Sequence, residues 1–359
     1  MDHKVTIKEV AELAGVSKST VSRYLNRGYV SEEKRELVRA AIAQTGFKSN
    51  FFAKRLKTKE SKLIGIVLPR MDSVTVGKLL MGINRVLDPA GYQVLVQVSQ
   101  LSQRRELEAM RSLQQQGVDG IIVDSVGITD EHALLARELT LPVVFTGQEY
   151  GGLTCIKVDD YGAGHLMGAF LRQMGHTHAV FAGVSETDKA VGRERKQGFL
   201  DGFGVKEAHN LTDEAVPVPS HPVTTPQVDF VETGFDFLSA YDKTALMWAQ
   251  QPSVIVGATD NISLGILRYL HERGLHVPED VSVTGFGGYE VGAVVYPALT
   301  TVAFDFELIG MKAAQAVLDM LHDEAVCLGG PEPMHLIQRE SVRELGKPFV
   351  PEQSTGITL

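Results

Sequence analysis

Val5-Thr6-Ile7-Lys8-Glu9-Val10-Ala11-Glu12-Leu13-Ala14-Gly15-Val16-Ser17-Lys18-Ser19-Thr20-Val21-Ser22-Arg23 is the stretch on which the reading of the N-terminus turns. Thr6 followed three residues later by Glu9 has the capping-box pattern, in which the hydroxyl accepts from the Glu9 amide and the carboxylate reaches back to the Thr6 amide. A helix is expected from Ile7. Ile7, Val10, Ala11 and Ala14 recur at helical spacing, and Gly15 stands where a left-handed backbone ends a helix. Ser17 then caps a second helix to about Asn26, which buries Val21 and Leu25 and turns Lys18, Ser19, Ser22, Arg23 and Asn26 mostly outward.

Ser31 is expected to cap a third helix, whose stripe of Leu37, Val38, Ala41 and Ile42 ends near Gly46. Three short helices with a tight turn follow the helix-turn-helix plan, whose second helix enters the major groove of DNA. Periodicity alone leaves open a small helical bundle with a merely solvated basic face.

Charge sharpens the choice. The 359 residues carry 35 Lys/Arg and 44 Asp/Glu, a net of -9. Residues 1–60 hold 13 and 7 of these (13 - 7 = +6), so the other 299 hold 22 and 37 (22 - 37 = -15). A polyanion attracts the basic end through phosphate contacts and counterion release and repels the acidic bulk. No apolar run of about 18 residues could span a bilayer, and Met-Asp-His-Lys opens a polar segment instead of a signal-peptide core. A cytoplasmic protein without membrane contact is expected. Cys155 and Cys327 lack a metal-ligand spacing and read as small apolar core residues.

Val5 to Arg23 closely resembles the headpiece of the lactose-repressor family of bacterial transcriptional regulators. The resemblance implies that Lys18, Ser19 and Arg23 face base edges, with Arg23 reading a guanine through its bidentate fork. It makes Thr6, Thr20, Ser22 and Asn26 phosphate contacts. Gly46 to Thr58 resembles the family's hinge, a short helix that orders on operator DNA in the minor groove. Asn50, Ala53 and Leu56 are then DNA contacts, Leu56 as an intercalating wedge; the alternative makes Leu56 a buried linker residue. Ser49 stands where members commonly have proline, so a stiff entry to the hinge is not implied.

From Lys62 onward, apolar strands alternate with amphipathic helices: Leu63–Leu68, a helix to about Ala90, Gln93–Val98, a helix to Gln116, Gly120–Val123, Pro142–Phe145 and a helix from Gly162 to Met174. The pattern restarts at Ala179–Gly183 and runs to Val281–Gly285. This is βαβ arithmetic, and it is too long for one small doubly wound sheet. Two parallel sheets with a ligand at facing strand C-termini are expected.

The resemblance extends through Val158–Gly164, Met174–His176, Gly192–Phe199, Ala258–Asn261, Val277–Phe286 and Pro297–Val302. It implies an α/β sensor like periplasmic sugar-binding proteins, in two subdomains joined by three crossovers, near Asp160, Tyr289 and His322. The expected division is a headpiece at 1–48, a hinge and linker at 49–61, one subdomain from 62–160 and 290–321, the other from 161–289 and 322–343, and a tail at 344–359. Arg195 is the strongest implied ligand contact, since its fork suits vicinal hydroxyls or a phosphate. Thr259 and Asp260 sit at a strand end facing the cleft, where Asp260 either binds ligand or caps the next helix.

The family's aspartate after Gly-Phe is replaced by Gly287 in Gly285-Phe286-Gly287-Gly288-Tyr289-Glu290, leaving Glu290 or Tyr289 to supply an acceptor. At the other wall Arg70, Asp72 and Ser73 precede a helix where an anion can be held, and Gln148 joins this set. Arg70 with Arg195 suggests a phosphorylated sugar. Arg70, Asp188–Gly192 and the Gly-Phe-Gly-Gly-Tyr run most resemble the sucrose-operon branch, so sucrose, sucrose 6-phosphate and fructose are the candidate effectors. Their binding is expected to release a homodimer from a palindromic operator; corepression remains the opposite sign. No cofactor or metal is implied.

An enzyme is the rival class. Gly162-Ala163-Gly164 with Gly168 misses the dinucleotide spacing and fits helix packing better. His176/His178 and His271/His276 come without a nearby carboxylate or thiol set. A non-DNA-binding sugar-binding protein accounts for the sensor but not for the basic headpiece.

Overall fold

The computed structural model describes residues 5–25, 28–47, 60–211, 225–327, 330 and 332–346, and the chain divides into two compact units, 1–61 and 62–359.

In the first unit, helix α1 (Ile7–Leu13) opens on both halves of the capping box: the Glu9 amide donates to Thr6 Oγ1 at 3.4 Å and the Thr6 amide to Glu9 Oε2 at 2.7 Å. Gly15 is left-handed, φ 62°. In α2 (Lys18–Leu25), Ser17 Oγ accepts from the Thr20 amide at 3.2 Å. Helix α3 (Glu32–Thr45) ends on a left-handed Gly46. Val10, Ala11, Ala14, Val21, Val38 and Ala41 form the core. Two expectations are corrected. Ser31 holds the N-cap position but its side chain makes no capping bond, and Leu37 is 47% exposed, because so small a core covers only the Val38–Ala41 strip.

The second unit contains two sheets. The first joins β1 (Leu63–Leu68), β2 (Gln93–Val98), β3 (Gly120–Asp124), β4 (Val143–Thr146) and β5 (Thr154–Ile156) in the order β2-β1-β3-β4-β5, all parallel. The second joins β6 (His178–Gly183), β7 (His209–Asn210), β8 (Gln227–Glu232), β9 (Val254–Gly257), β10 (Ser282–Gly287), β11 (Thr300–Phe304) and β12 (Met334–Ile337) in the order β12-β11-β10-β9-β6-β8-β7. Among the described strands only β12 pairs antiparallel. Central strands such as β6 and β10 are buried at every position, as parallel strands covered on both faces must be. The expected pair of parallel sheets is therefore observed.

The chain crosses between sheets after β5 and again after helix α12 (Phe306–Leu321), where the parallel bridge Val158–Glu332 sets two crossing segments side by side. The middle crossing differs from expectation. The sequence places residues 290–321 as one block in the first subdomain, yet β11 pairs with β10 in the second sheet. The return therefore follows Phe304, and α12 then packs on α4 (Val74–Leu87). Thr300-Thr301-Val302 is a β-branched run suited to a strand, and it extends the second sheet where a boundary drawn at a glycine-rich loop overlooks it.

Glycines set the helix spacing. On α7 (Asp160–Gln173), a Cβ at Gly164 would overlap the Arg195 carbonyl and one at Gly168 the Phe199 carbonyl of α8 (Lys196–Phe203); α8 answers with Gly198 against Tyr161. The Gly162–Gly168 run is thus helix packing. Gly164→Ala is expected to lower stability by about 3 kcal/mol through overpacking against backbone that cannot yield. Urea unfolding of the full chain measures it, and a loss under about 0.5 kcal/mol would contradict the contact.

Cys155 is half-buried and packs against the core beside the first sheet, as expected, whereas Cys327 is exposed and is not a core residue. His176 and His178 serve different partners: His176 Nδ1 lies 3.0 Å from Ser253 Oγ and His178 Nε2 2.7 Å from Asp229. Burial pushes His176 down to about 4.

Candidate functional site: a recognition helix and an interlobe cavity

At 100° per residue, Lys18, Ser19, Ser22 and Arg23 fall within about 140° of the α2 circumference, while Val21 faces the core. Lys18, Ser19 and Arg23 are exposed, Thr20 and Ser22 half-buried, and Thr6 is exposed at the start of α1. A cation, two hydroxyls and a guanidinium on one narrow face suit base edges and phosphates together. Asn26, Asn50, Ala53 and Leu56 lie outside the described residues.

In the second unit, a cavity of about 160 Å³ opens where the C-terminal ends of the two sheets face each other. Arg70 and Ser73 follow β1, Asp124 ends β3, Gln148 follows β4 and Asp160 follows β5; the opposite wall comes from segments after β6, β9, β10 and β11. Strand ends of open α/β sheets are where polar loops converge without disturbing the core. Phe235, Phe286, Phe304 and Phe306 add apolar surface, the mixture that a sugar ring with its hydroxyl edge requires.

Arg195 stands at the centre. It ends a π-helical segment, Lys189–Arg195, begun by Asp188, whose carboxylate accepts from the Val191 amide at 2.8 Å. The wider turn re-aims the side chain inward, and Arg195 is only 5% exposed. Its Nε donates to Asp160 Oδ1 at 3.0 Å, its Nη2 to the same oxygen, and its Nη1 to the Ala258 carbonyl at 2.6 Å. The guanidinium lies 5.2 Å from the Phe286 ring and 5.1 Å from that of Phe304. Of five N–H donors, three are committed and two remain. At this burial the pair with Asp160 is not a surface ion pair.

At one end of the cavity Arg70 donates to Asp72 through Nε at 2.7 Å and Nη2 at 3.0 Å. Asp72 itself is 77% exposed and stands outside the cavity wall, and such a pair contributes little. Ser73 occupies the N-cap of α4 without capping it, and Ser73, Thr75 and Val76 lie on the cavity wall. Tyr289 closes this end; burial pushes its phenol up to about 12, with Arg195 and Arg70 pulling the other way.

At the other end stand Asp124 and Asp188. Burial raises Asp124 to about 7 against the hydrogen bond from Thr146, with Glu106 and Asp188 adding repulsion; burial likewise raises Asp188 to about 6.

The sequence-derived residues divide accordingly. Arg70, Ser73, Gln148, Arg195, Thr259 and Gly287 line the cavity. Asp260 does not: it is fully buried, its carboxylate accepting from the Tyr289 amide and from Thr301 Oγ1, both at 2.7 Å. Thr259, not Asp260, caps α10 (Asp260–Glu272). Asp260 instead anchors the glycine loop, because two adjacent glycines need an external acceptor to fix them. Glu290 is exposed and points nowhere near the role offered it. Tyr289, the alternative to Glu290, does line the cavity, and Asp124 and Asp188 are wall residues that the sequence does not single out as ligand contacts; position at a strand C-terminus was the signal available for Asp124.

Residues 6–50 match the bacterial regulatory proteins of the lacI family, and residues 169–342 match the periplasmic binding protein-like domain. The sucrose operon repressor of Staphylococcus xylosus is 35% identical over 320 residues, covering 89% of this chain and 95% of that one. The chain belongs to the lacI family of bacterial regulatory proteins. The HTH-type transcriptional regulator TreR of Salmonella typhimurium is 28% identical over 324 residues, 90% of this chain and 95% of the relative. Among solved structures, the lac repressor dimer bound to operator and the anti-inducer ONPF superposes with a TM-score of 0.81 at 25% identity, over 95% of this chain and all of that one. Within the lacI-family frame this regulator replaces the expected aspartate with Gly287, φ 133°, and the Tyr289 ring fills the space where a side chain at 287 would lie.

Proposed function

We propose that this lacI-family regulator is a dimeric repressor of a sugar-utilisation operon and that its effector is a phosphorylated sugar, sucrose 6-phosphate first among the candidates. The observation that carries the effector class is the division of one cavity into two ends. Arg70, the uncapped start of α4, Tyr289 and the two spare Arg195 donors gather donors and positive potential at one end, which suits a phosphate. The Asp124 and Asp188 carboxyls at the other suit hydroxyls, and the Phe286 and Phe304 rings beside Arg195 suit a sugar face between them. The sucrose operon repressor supports the choice of sugar by similarity.

Effector closing the cleft shifts the lobes that hold the paired DNA-binding segments and disfavours the operator-bound arrangement; the shift is limited to the effector's differential affinity for the two states. Leu56 is the proposed minor-groove wedge. Operator affinity measured with sucrose 6-phosphate, sucrose and fructose tests the reading: the phosphate ester should release operator most effectively. Equal or stronger release by sucrose would refute the phosphate end, and tighter binding would reverse the sign. Arg23→Ala should cost operator binding about 1–3 kcal/mol and relax discrimination at one base pair, read by titration against single-substituted operators; a uniform loss over all of them would reduce Arg23 to a phosphate contact.

A further inference from the structure

Asp124 and Asp188 belong to opposite walls of the cavity, one ending β3 and the other opening the π-helical segment. The walls already touch beside them. Lys189 Nζ donates to the Ile128 carbonyl at 3.3 Å, and a Cβ on Gly127 would come 3.3 Å from the Thr187 carbonyl. Any ligand held between the walls is therefore within reach of both carboxyls.

The charges around the pair are unbalanced. Asp124 accepts from Thr146 Oγ1 at 2.9 Å and has Glu106 of α5 (Gln103–Gln115) behind it. Glu106 is fully buried, accepting from Ser125 Oγ at 2.7 Å and the Val126 amide at 3.3 Å, with His132 of α6 (Asp130–Glu138) 3.2 Å away. Asp188 faces Asp160 and Arg195 and accepts from the Val191 amide. The nearby cations are engaged: Arg195 on Asp160, Lys189 on a carbonyl. Filling the cavity removes the water that screens the carboxyls, so their mutual repulsion grows on closure.

We propose that Asp124 and Asp188 read the hydroxyl end of the effector as a pair that holds one proton, one carboxyl donating to a sugar hydroxyl and the other accepting from its neighbour. Effector and proton then enter the cavity together. A carboxylic acid next to a carboxylate offers one donor and several acceptors, which matches a vicinal diol and penalises a ligand lacking either hydroxyl. The elevated positions of both acids, about 7 and about 6, put the shared proton in the neutral range. The bound state has the higher proton affinity, so effector affinity is full at lower pH and declines as pH rises through neutrality.

This rests on the cavity being the effector site, and the test separates the two. Infrared difference spectra of the full-length protein between about pH 6 and about pH 8 should contain a carboxylic-acid carbonyl band that Asp124→Asn removes. With sucrose 6-phosphate as probe, calorimetry in buffers of different ionisation enthalpy should register uptake of roughly half a proton per protomer near pH 7. Affinity should fall about tenfold over that pH range in the wild type and change by less than about twofold in Asp124→Asn, relative to the phosphate's own titration, which both proteins share. Asp188→Asn keeps the acceptor for the Val191 amide and should flatten the profile in the same way. A band absent from the wild type, or a bound probe that takes up no proton, would overturn the pair. If sucrose 6-phosphate, sucrose and fructose all fail to bind, the effector-site reading falls and this proposal with it.

Discussion

Arg195→Ala is expected to lower the stability of the sensor by about 3–5 kcal/mol, the cost of leaving a buried charge without its partner. Asp160 is only 2% exposed and gives one oxygen to both Nε and Nη2 of Arg195. The alanine variant also loses the contacts with Phe286 and Phe304 and the bond to the Ala258 carbonyl. Effector response should vanish. Operator binding should survive at temperatures where the sensor remains folded, since the headpiece has its own core. A double variant, Arg195→Met with Asp160→Asn, separates stability from ligand recognition: removing both charges should recover most of the stability but none of the response. Denaturant unfolding and operator release measure the two quantities. An Arg195→Ala protein as stable as wild type and normally released would remove Arg195 from both roles.

Arg195 also shows where sequence reading stops. Its place in Gly192–Phe199 points to a ligand contact, and it does line the cavity; its commitment to Asp160, Ala258 and two Phe rings depends on four segments distant in the chain. Local signals were legible wherever neighbours along the chain satisfy each other. The Thr6/Glu9 box, the α2 face and strands β1 and β2 are as the sequence indicates. Pairings across the sheet were not. Asp260 looked like a cleft ligand because it follows a strand, but Thr301 and the Tyr289 amide capture it first. Asp124 is not singled out by the sequence, and its importance comes from Glu106 and Asp188, which converge on it only in the folded chain.

Restoring the family's aspartate should impair this protein. Gly287 has φ 133°, a conformation that costs a residue with a Cβ about 1–3 kcal/mol. A Cβ there would stand 2.9 Å from Cδ1 of Tyr289 and nearer still to Cε1. Gly287→Asp must therefore displace the Tyr289 ring, and with it the phenol that closes the Arg70 end of the cavity. Effector affinity is expected to fall by about 2–3 kcal/mol or more, from strain and lost phenol together. Tyr289→Phe isolates the phenol and should cost about 1–1.5 kcal/mol. Gly287→Asp/Tyr289→Ala opens room for the carboxylate, which is an acceptor for hydroxyls and repels phosphate. That double variant should recover affinity for sucrose relative to Gly287→Asp while binding sucrose 6-phosphate more weakly than sucrose. Isothermal titration with both sugars decides it. If Gly287→Asp binds the phosphate ester as wild type does, Tyr289 does not occupy the aspartate's place in ligand recognition, and the anion is held by Arg70 and Arg195 without it.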